Sequence, residues 1–206
     1  MKLTIPKIYP ITDTRISGLT HLEQVRRLIS GGALLIQLRD KWAPAGEYYR
    51  AASEAVEHAH RHGVRIIIND RADVAHASGA DGVHLGQDDL APTYARDLLG
   101  PSAIIGFSTH SLDQAHDAMA LPIDYIAIGP IFATATKDDP EPVVGLEGLR
   151  AVQALDPDFP LVAIGGITRE NAVSVLAAGA DSVALISGLV SEPLLIADRM
   201  QELLNV

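Results

Sequence analysis

Eight short apolar runs alternate with longer amphipathic stretches, and this alternation restricts the fold more than any other feature of the chain. The runs are Ile8 to Thr12, Leu34 to Leu38, Arg65 to Asn69, Gly82 to Leu85, Ile104 to Ser108, Tyr125 to Ile128, Leu161 to Ile164 and Ser182 to Ile186. Most are apolar at consecutive positions, the pattern of parallel strands covered on both faces. Helical stretches separate them: Leu19 to Ser30, Glu47 to His62, Asp73 to Ser78, Pro92 to Leu99, Leu112 to Ala120, Leu146 to Leu155, Asn171 to Ala178 and Glu192 to Leu204. The pattern predicts an α/β fold, a single (β/α)8 TIM barrel with a parallel eight-stranded core, as one domain over residues 1–206. An open doubly wound sheet fits less well. Its glycine-rich nucleotide turn should follow the first strand, and Ile11-Thr12-Asp13-Thr14 stands there instead.

Local punctuation supports these boundaries. Ser111 with Gln114 has the spacing of a capping box, and Thr168 suits a helix N-cap. Gly79 and Gly179 follow helical runs and suit the left-handed position past a helix end. Each opens a Gly-Ala-Asp tripeptide that leads into a strand, a weak internal repeat compatible with stacked βα units. The Pro- and acid-rich segment Asp138 to Val144 reads as a mobile active-site loop.

Composition narrows the function. Formal net charge is −10, which argues against non-specific nucleic-acid binding, because that requires a basic surface to displace counterions. An anionic ligand must be caught by a few local cations. With no cysteine, the chain has no disulfide, thiolate metal site or cysteine nucleophile, as fits a reducing cytosol. Pro6 and Pro10 interrupt any apolar leader, and no run approaches the roughly 20 apolar residues of a membrane helix. The expectation is a soluble cytoplasmic protein without membrane or nucleic-acid partners. Oligomeric state is left open, a homo-oligomer included.

In such a barrel the chemistry sits at the C-terminal ends of the strands. Gln37, Arg39, Lys41, Asn69, Asp70, Asp88, Asp89, Ser108, Thr134, Thr136, Lys137, Gly165, Gly166, Ile186, Ser187 and Gly188 fall there. Arg39, Lys41 and Lys137 have the chemistry of a polyphosphate clamp, Arg by its planar fork and Lys by its compact charge. Asp70 and Asp89, on adjacent strands, are hard oxygen donors suited to Mg2+, which takes one or two carboxylates and fills its octahedron with water and phosphate oxygens. The amides of Gly165-Gly166-Ile167 and of Ile186-Ser187-Gly188 suit a monophosphate, in the loops where such barrels recurrently bind phosphate. A reaction joining a diphosphate-activated group to a phosphorylated acceptor would use both subsites.

Plainer readings apply to several residues. Asp88 reads as a solvated neighbour, Asp81 and Asp181 as turn residues, and Asp13 as a cap of the first helix. His84, inside an apolar strand, reads as a satisfied core histidine. His110 is a turn residue or a rim group. His21, His58, His60, His62, His76 and His116 read as helix-surface residues. Trp42 covers a ligand or packs on the rim.

Taken together, certain stretches resemble the thiamine phosphate synthase family. They are Tyr9-Pro10-Ile11-Thr12-Asp13, residues 32–41, Ile68-Asn69-Asp70-Arg71, residues 80–89, Gly106-Phe107-Ser108-Thr109-His110, Gly129-Pro130-Ile131-Phe132 with Thr134-Ala135-Thr136-Lys137, and residues 163–167. Departures are slight: Asp40 stands where Glu is more familiar, and Pro10 where an apolar residue is usual. The resemblance implies that Gln37, Leu38, Arg39, Asp40 and Lys41, with Asn69, Ser108 and Lys137, form the pocket of an aminopyrimidine diphosphate. It implies Mg2+ on Asp70 and Asp89. It assigns Thr134, Ala135, Thr136, Gly166, Ile186 and Ser187 to a thiazole phosphate. Arg39, Lys41, Ser108 and Lys137 would carry catalysis. The implied reaction releases pyrophosphate and makes thiamine phosphate. Alternatives are a thiazole tautomerase or a non-catalytic phosphate-ligand binder on the same barrel, and a phosphosugar isomerase.

Overall fold

The computed structural model describes residues 3–134 and 141–205. Its eight strands close in sequence order into a parallel barrel. They are β1 Ile8–Asp13, β2 Leu35–Arg39, β3 Arg65–Asn69, β4 Gly82–Leu85, β5 Ile104–Thr109, β6 Tyr125–Ile128, β7 Leu161–Ile164 and β8 Ser182–Leu185. Each forms where an apolar run predicts it.

The helices are α1 Thr14–Ser17, α2 His21–Ser30, α3 Ala45–Arg61, α4 Ala72–Ser78, α5 Pro92–Leu99, α6 Leu112–Ala118, α7 Gly145–Gln153, α8 Arg169–Ala177, α9 Ser187–Val190 and α10 Ile196–Leu204. Two expectations change. The helix read as Leu19 to Ser30 starts at His21, after the separate turn α1, because Thr20 forms a capping box with Glu23. The helix read as Glu192 to Leu204 starts at Ile196, preceded by the 3-10 turn Pro193–Leu195. Ser111 accepts from the Gln114 amide, but the Gln114 side chain turns back to the His110 amide at 2.8 Å, so that capping box is only half formed. No helix among the described residues is long and apolar enough to cross a membrane.

Strand parity divides the core. Successive side chains point to opposite faces of the sheet. Ile36, Leu38, Ile66, Ile68, Val83, Leu85, Ile126 and Ile128 point outward into one apolar layer under the helices. Tyr9, Ile11, Leu35, Ile67, Ile104, Tyr125, Ala127, Val162 and Ala184 fill the barrel interior. The register sets Ile11 beside Gln37, Asn69 beside His84, and Gly106 between His84 and Tyr125.

The floor of the barrel is tied by a repeated clasp. Asp81, Asp124 and Asp181 each sit just before or at the foot of a strand. Each carboxylate accepts from the first amides of the preceding strand: Ile66 N at 2.7 Å, Ile105 N at 2.8 Å and Leu161 N at 2.9 Å. Their own amides return the bond to the carbonyls of the same three residues. The Gly-Ala-Asp repeat is therefore structural.

Candidate active site

At the upper mouth, a cavity is lined by Tyr9, Ile11, Gln37, Arg39, Asn69, His84, Ser108, Ala127, Val162, Ile164, Ala184 and Ile186. All are inward-parity positions, so the closing of the barrel alone brings Gln37, Arg39, Asn69 and Ser108 together.

Arg39 is not an isolated cation. Its Nη1 pairs with Asp13 Oδ2, and the side chains are 15% and 8% exposed. Asp13 also caps α1, its Oδ1 accepting from Arg15 N at 3.0 Å and Ile16 N at 3.1 Å. One carboxylate thus starts a helix and aims the guanidinium, which has further donors left for a ligand. Lys41 Nζ lies 3.3 Å from Asp70 Oδ2. Lys137, Ala135 and Thr136 fall outside the described residues, as do Asp138, Asp139 and Pro140 of the acid-rich loop after β6.

Asp70 is held in an unusual backbone state, with φ of 64°, while its amide donates to the His84 carbonyl at 2.8 Å. Non-glycine residues rarely adopt that region, and such strain tends to collect at functional sites. Burial pushes its carboxyl above the usual range, nearby Lys41 pulls it down, and the Asp89 carboxylate raises it again. Asp89 is fixed by the turn after β4, its Oδ2 accepting from Gly86 N at 2.6 Å. Two close carboxylates, one of them half-buried and destabilised by the other, form a site that a cation would relieve. Among the described residues no group of three or more His, Cys, Asp or Glu could hold a metal. The pair instead matches the sparse protein ligation of Mg2+, whose remaining positions go to water and phosphate. Asp88 is exposed.

His84 is buried and satisfied on both nitrogens. Its Nδ1 lies 2.9 Å from Tyr125 Oη and its Nε2 lies 2.8 Å from Ser108 Oγ. Tyr125 Oη is 3.0 Å from Tyr9 Oη, to which Gln37 Nε2 donates at 3.1 Å. Burial pushes the His84 pKa down to about 4, so the ring is neutral near pH 7. Gly106 makes the passage possible: a Cβ there would lie 2.0 Å from Tyr125 Cζ and 2.5 Å from His84 Nδ1.

On the opposite side, Gly166 has φ of 64° and a Cβ there would meet Ala133 O at 2.7 Å. Asn171 braces this loop, donating from Nδ2 to Gly166 O at 3.0 Å and accepting from Thr168 N at 2.8 Å. Ile186 lines the cavity, and Ser187 starts α9 at the exposed edge. Thr134 is the last described residue before the gap on this side.

A family model described as thiamine monophosphate synthase matches residues 8–189. The chain belongs to this thiamine monophosphate synthase family. A thiamine-phosphate synthase from Koribacter versatilis is 46% identical over 211 residues, covering 99% of this chain and 97% of the relative. Another from Methanocella arvoryzae is 47% identical over 186 residues, covering 90% and 87%. The solved thiamine phosphate pyrophosphorylase from Pyrococcus furiosus superposes with a TM-score of 0.86 at 37% identity, covering 96% of this chain and 93% of that one. A mutant tryptophan synthase alpha-subunit from the same organism, at 13% identity and TM-score 0.71, shares the fold alone. The activity that goes with this family is thiamine-phosphate synthesis, a transferase reaction of thiamine biosynthesis.

Within this thiamine monophosphate synthase barrel, some expected site residues lie elsewhere. Leu38 has outward parity and is fully buried under the helices, so its side chain does not reach the cavity. Its carbonyl accepts from Tyr48 Oη at 2.6 Å. Asp40 is spent on the loop: Oδ1 accepts from Trp42 N at 3.0 Å and Ala43 N at 2.9 Å, and His21 Nε2 stands 3.5 Å from Oδ2. His21 and these amides hold the carboxyl well below its usual range. His21 itself is buried, its Nδ1 2.8 Å from Thr12 Oγ1, and not a helix-surface residue. Trp42 packs under the Arg15 guanidinium, 3.9 Å from its ring centroid. His110 is a turn group, its Nδ1 2.6 Å from the Gly129 carbonyl oxygen. Sequence reasoning missed Tyr9 and Tyr125, and did not connect His84 to Ser108. Their inward parity, shared with Gln37 and Ser108, is the signal that would have found them.

Proposed function

We propose that this chain joins 4-amino-2-methyl-5-(diphosphooxymethyl)pyrimidine to a thiazole phosphate, giving thiamine phosphate and pyrophosphate, with Mg2+ held by Asp70 and Asp89. The observation that carries the reading is the Asp70–Asp89 pair beside Lys41, at the mouth that Arg39 also lines. Bound there, Mg2+ would supply Lewis-acid stabilisation of charge on the diphosphate oxygens.

The remaining chemistry belongs to the side chains. The C–O bond to the diphosphate breaks with its electron pair leaving on oxygen, and the thiazole nitrogen gives its lone pair to the methylene carbon. That nitrogen carries no proton, so no general base is required. Neutral His84, occupied on both nitrogens, agrees with this. Lys41, Arg39 and Lys137 offset charge on the leaving group, where preorganised donors act most strongly. Electron donation from the aminopyrimidine favours a dissociative, carbocation-like path. The apolar walls Ile11, Ala127, Val162 and Ile164 would keep water from that carbon. Gly166, Ile186 and Ser187, with Thr134, Ala135 and Thr136, would hold the thiazole phosphate.

The test is pyrophosphate release by purified protein given both substrates and Mg2+. Release that needs all three supports the reading. Folded protein that releases none under those conditions overturns it, and points to a ligand-binding or tautomerase role.

A further inference from the structure

Gln37, Tyr9, Tyr125, His84 and Ser108 belong to five different strands, yet they form one unbroken hydrogen-bonded line across the barrel interior. Its links are 3.1, 3.0, 2.9 and 2.8 Å. The line begins and ends on cavity-lining residues, and its middle member, Tyr125, is wholly buried.

The line has a direction. An amide nitrogen donates and does not accept. Gln37 Nε2 therefore donates to Tyr9, and because Tyr125 Oη is the one other group bonded to the Tyr9 hydroxyl among the described residues, a fully satisfied line has Tyr9 give its proton to Tyr125. Tyr125 in turn spends its proton on His84 Nδ1. An imidazole that accepts at Nδ1 carries its proton at Nε2, and that proton goes to Ser108 Oγ. The Ser108 hydroxyl hydrogen is then left to point into the cavity, and Gln37 is left to present Oε1. Burial holds the protons on Tyr9, pushed up to about 12, and on Tyr125, so the order persists near neutral pH.

We propose that this ordered line fixes Ser108 as a hydrogen-bond donor toward the departing diphosphate, with Tyr9, Tyr125 and His84 as positioning residues. The proposal rests on the reading that Ser108 faces that substrate. A donor already aimed costs no reorientation when charge develops. A serine whose partner could switch between donor and acceptor would lose that advantage. Glycine at position 106 is part of the device, because any Cβ there would break the Tyr125–His84 link.

The bond order is testable without substrate. In protein labelled with 15N-histidine, the His84 signals, assigned with His84→Gln, should show a bare Nδ1 and a protonated Nε2 as one tautomer. A wild-type Nδ1–H tautomer reverses the order and overturns the proposal. In Tyr125→Phe the phenol that selects the tautomer is gone, and the signals should become a mixture. The same variant should lose roughly tenfold in kcat, a fraction of what loss of a direct oxyanion donor costs, with KM for the thiazole phosphate unchanged. Tyr9→Phe, which keeps Tyr125, should fall in the same direction by less. A Tyr125→Phe enzyme that loses thermal stability but keeps kcat overturns the positioning role. Because the tautomer is read without substrate, an inactive wild type with a clean Nε2–H signal counts against the proposed activity and for the ordered line.

Discussion

Lys41 and Asp70 form an ion pair across the ends of β2 and β3, with Nζ 3.3 Å from Oδ2. The lysine stands beside the carboxylate pair proposed for Mg2+, so under that reading the two cations would compete for Asp70.

Asp70→Asn and Asp89→Asn should each raise the Mg2+ concentration needed for half-maximal pyrophosphate release and lower turnover by about tenfold or more. The fold should persist, since the exchange also removes like-charge repulsion between the two groups. Activity titrated against Mg2+, beside a thermal melt, checks both. Wild-type turnover at low Mg2+ in both variants rejects the metal assignment.

Lys41→Met should separate two quantities that usually move together. Bare Mg2+ should bind more tightly, because a neighbouring positive charge is gone. Turnover should fall, because the diphosphate loses a partner. Calorimetric Mg2+ binding in the absence of substrate, set against kcat, reads the split; weaker binding would show that Lys41 does not compete for Asp70.

Acid should weaken both the site and the fold. Burial, with Asp89 adding to it, raises the Asp70 carboxyl, so protons compete with Mg2+ and the Mg2+ requirement should rise as pH falls. His84 is depressed from 6.5 to about 4 by burial. Its contribution is complete above the unfolded value and drains away as pH falls from 6.5 toward 4, where only the unfolded chain takes up the proton. The loss is about 3 kcal/mol at most. Denaturant unfolding across this window should be steeper for the wild type than for His84→Gln.

Gly106→Ala should cost about 1–3 kcal/mol of stability, as overpacking of a tight interior does. Its Cβ cannot share space with Tyr125, which must move and release His84. A melting temperature within a degree of wild type would contradict the close approach.

All eight strands were legible in the sequence because burial on both faces leaves an unbroken apolar run, a local signal. So was the convergence of Gln37, Asn69, Asp70, Asp89 and Ser108 on one mouth, which follows from strand ends alone. What was hidden depends on register. Leu38 sits between two site residues and looks like one until parity turns it outward. The pairing of Arg39 with Asp13 joins β1 to β2, and no spacing along the chain announces it. His84 reads correctly as a satisfied core histidine, but its partners lie on β5 and β6. Only the closed barrel reveals that one of those partners is the rim serine Ser108.

The three aspartate clasps at the foot of the barrel have an evolutionary corollary. They anchor neighbouring strands through side chains at the end remote from the cavity that Gln37, Arg39 and Ser108 line. Substitutions around the upper loops can therefore accumulate without loosening the frame, while a single change from Asp to Ala below should melt the protein sooner and leave the surviving folded molecules with their substrate preference intact.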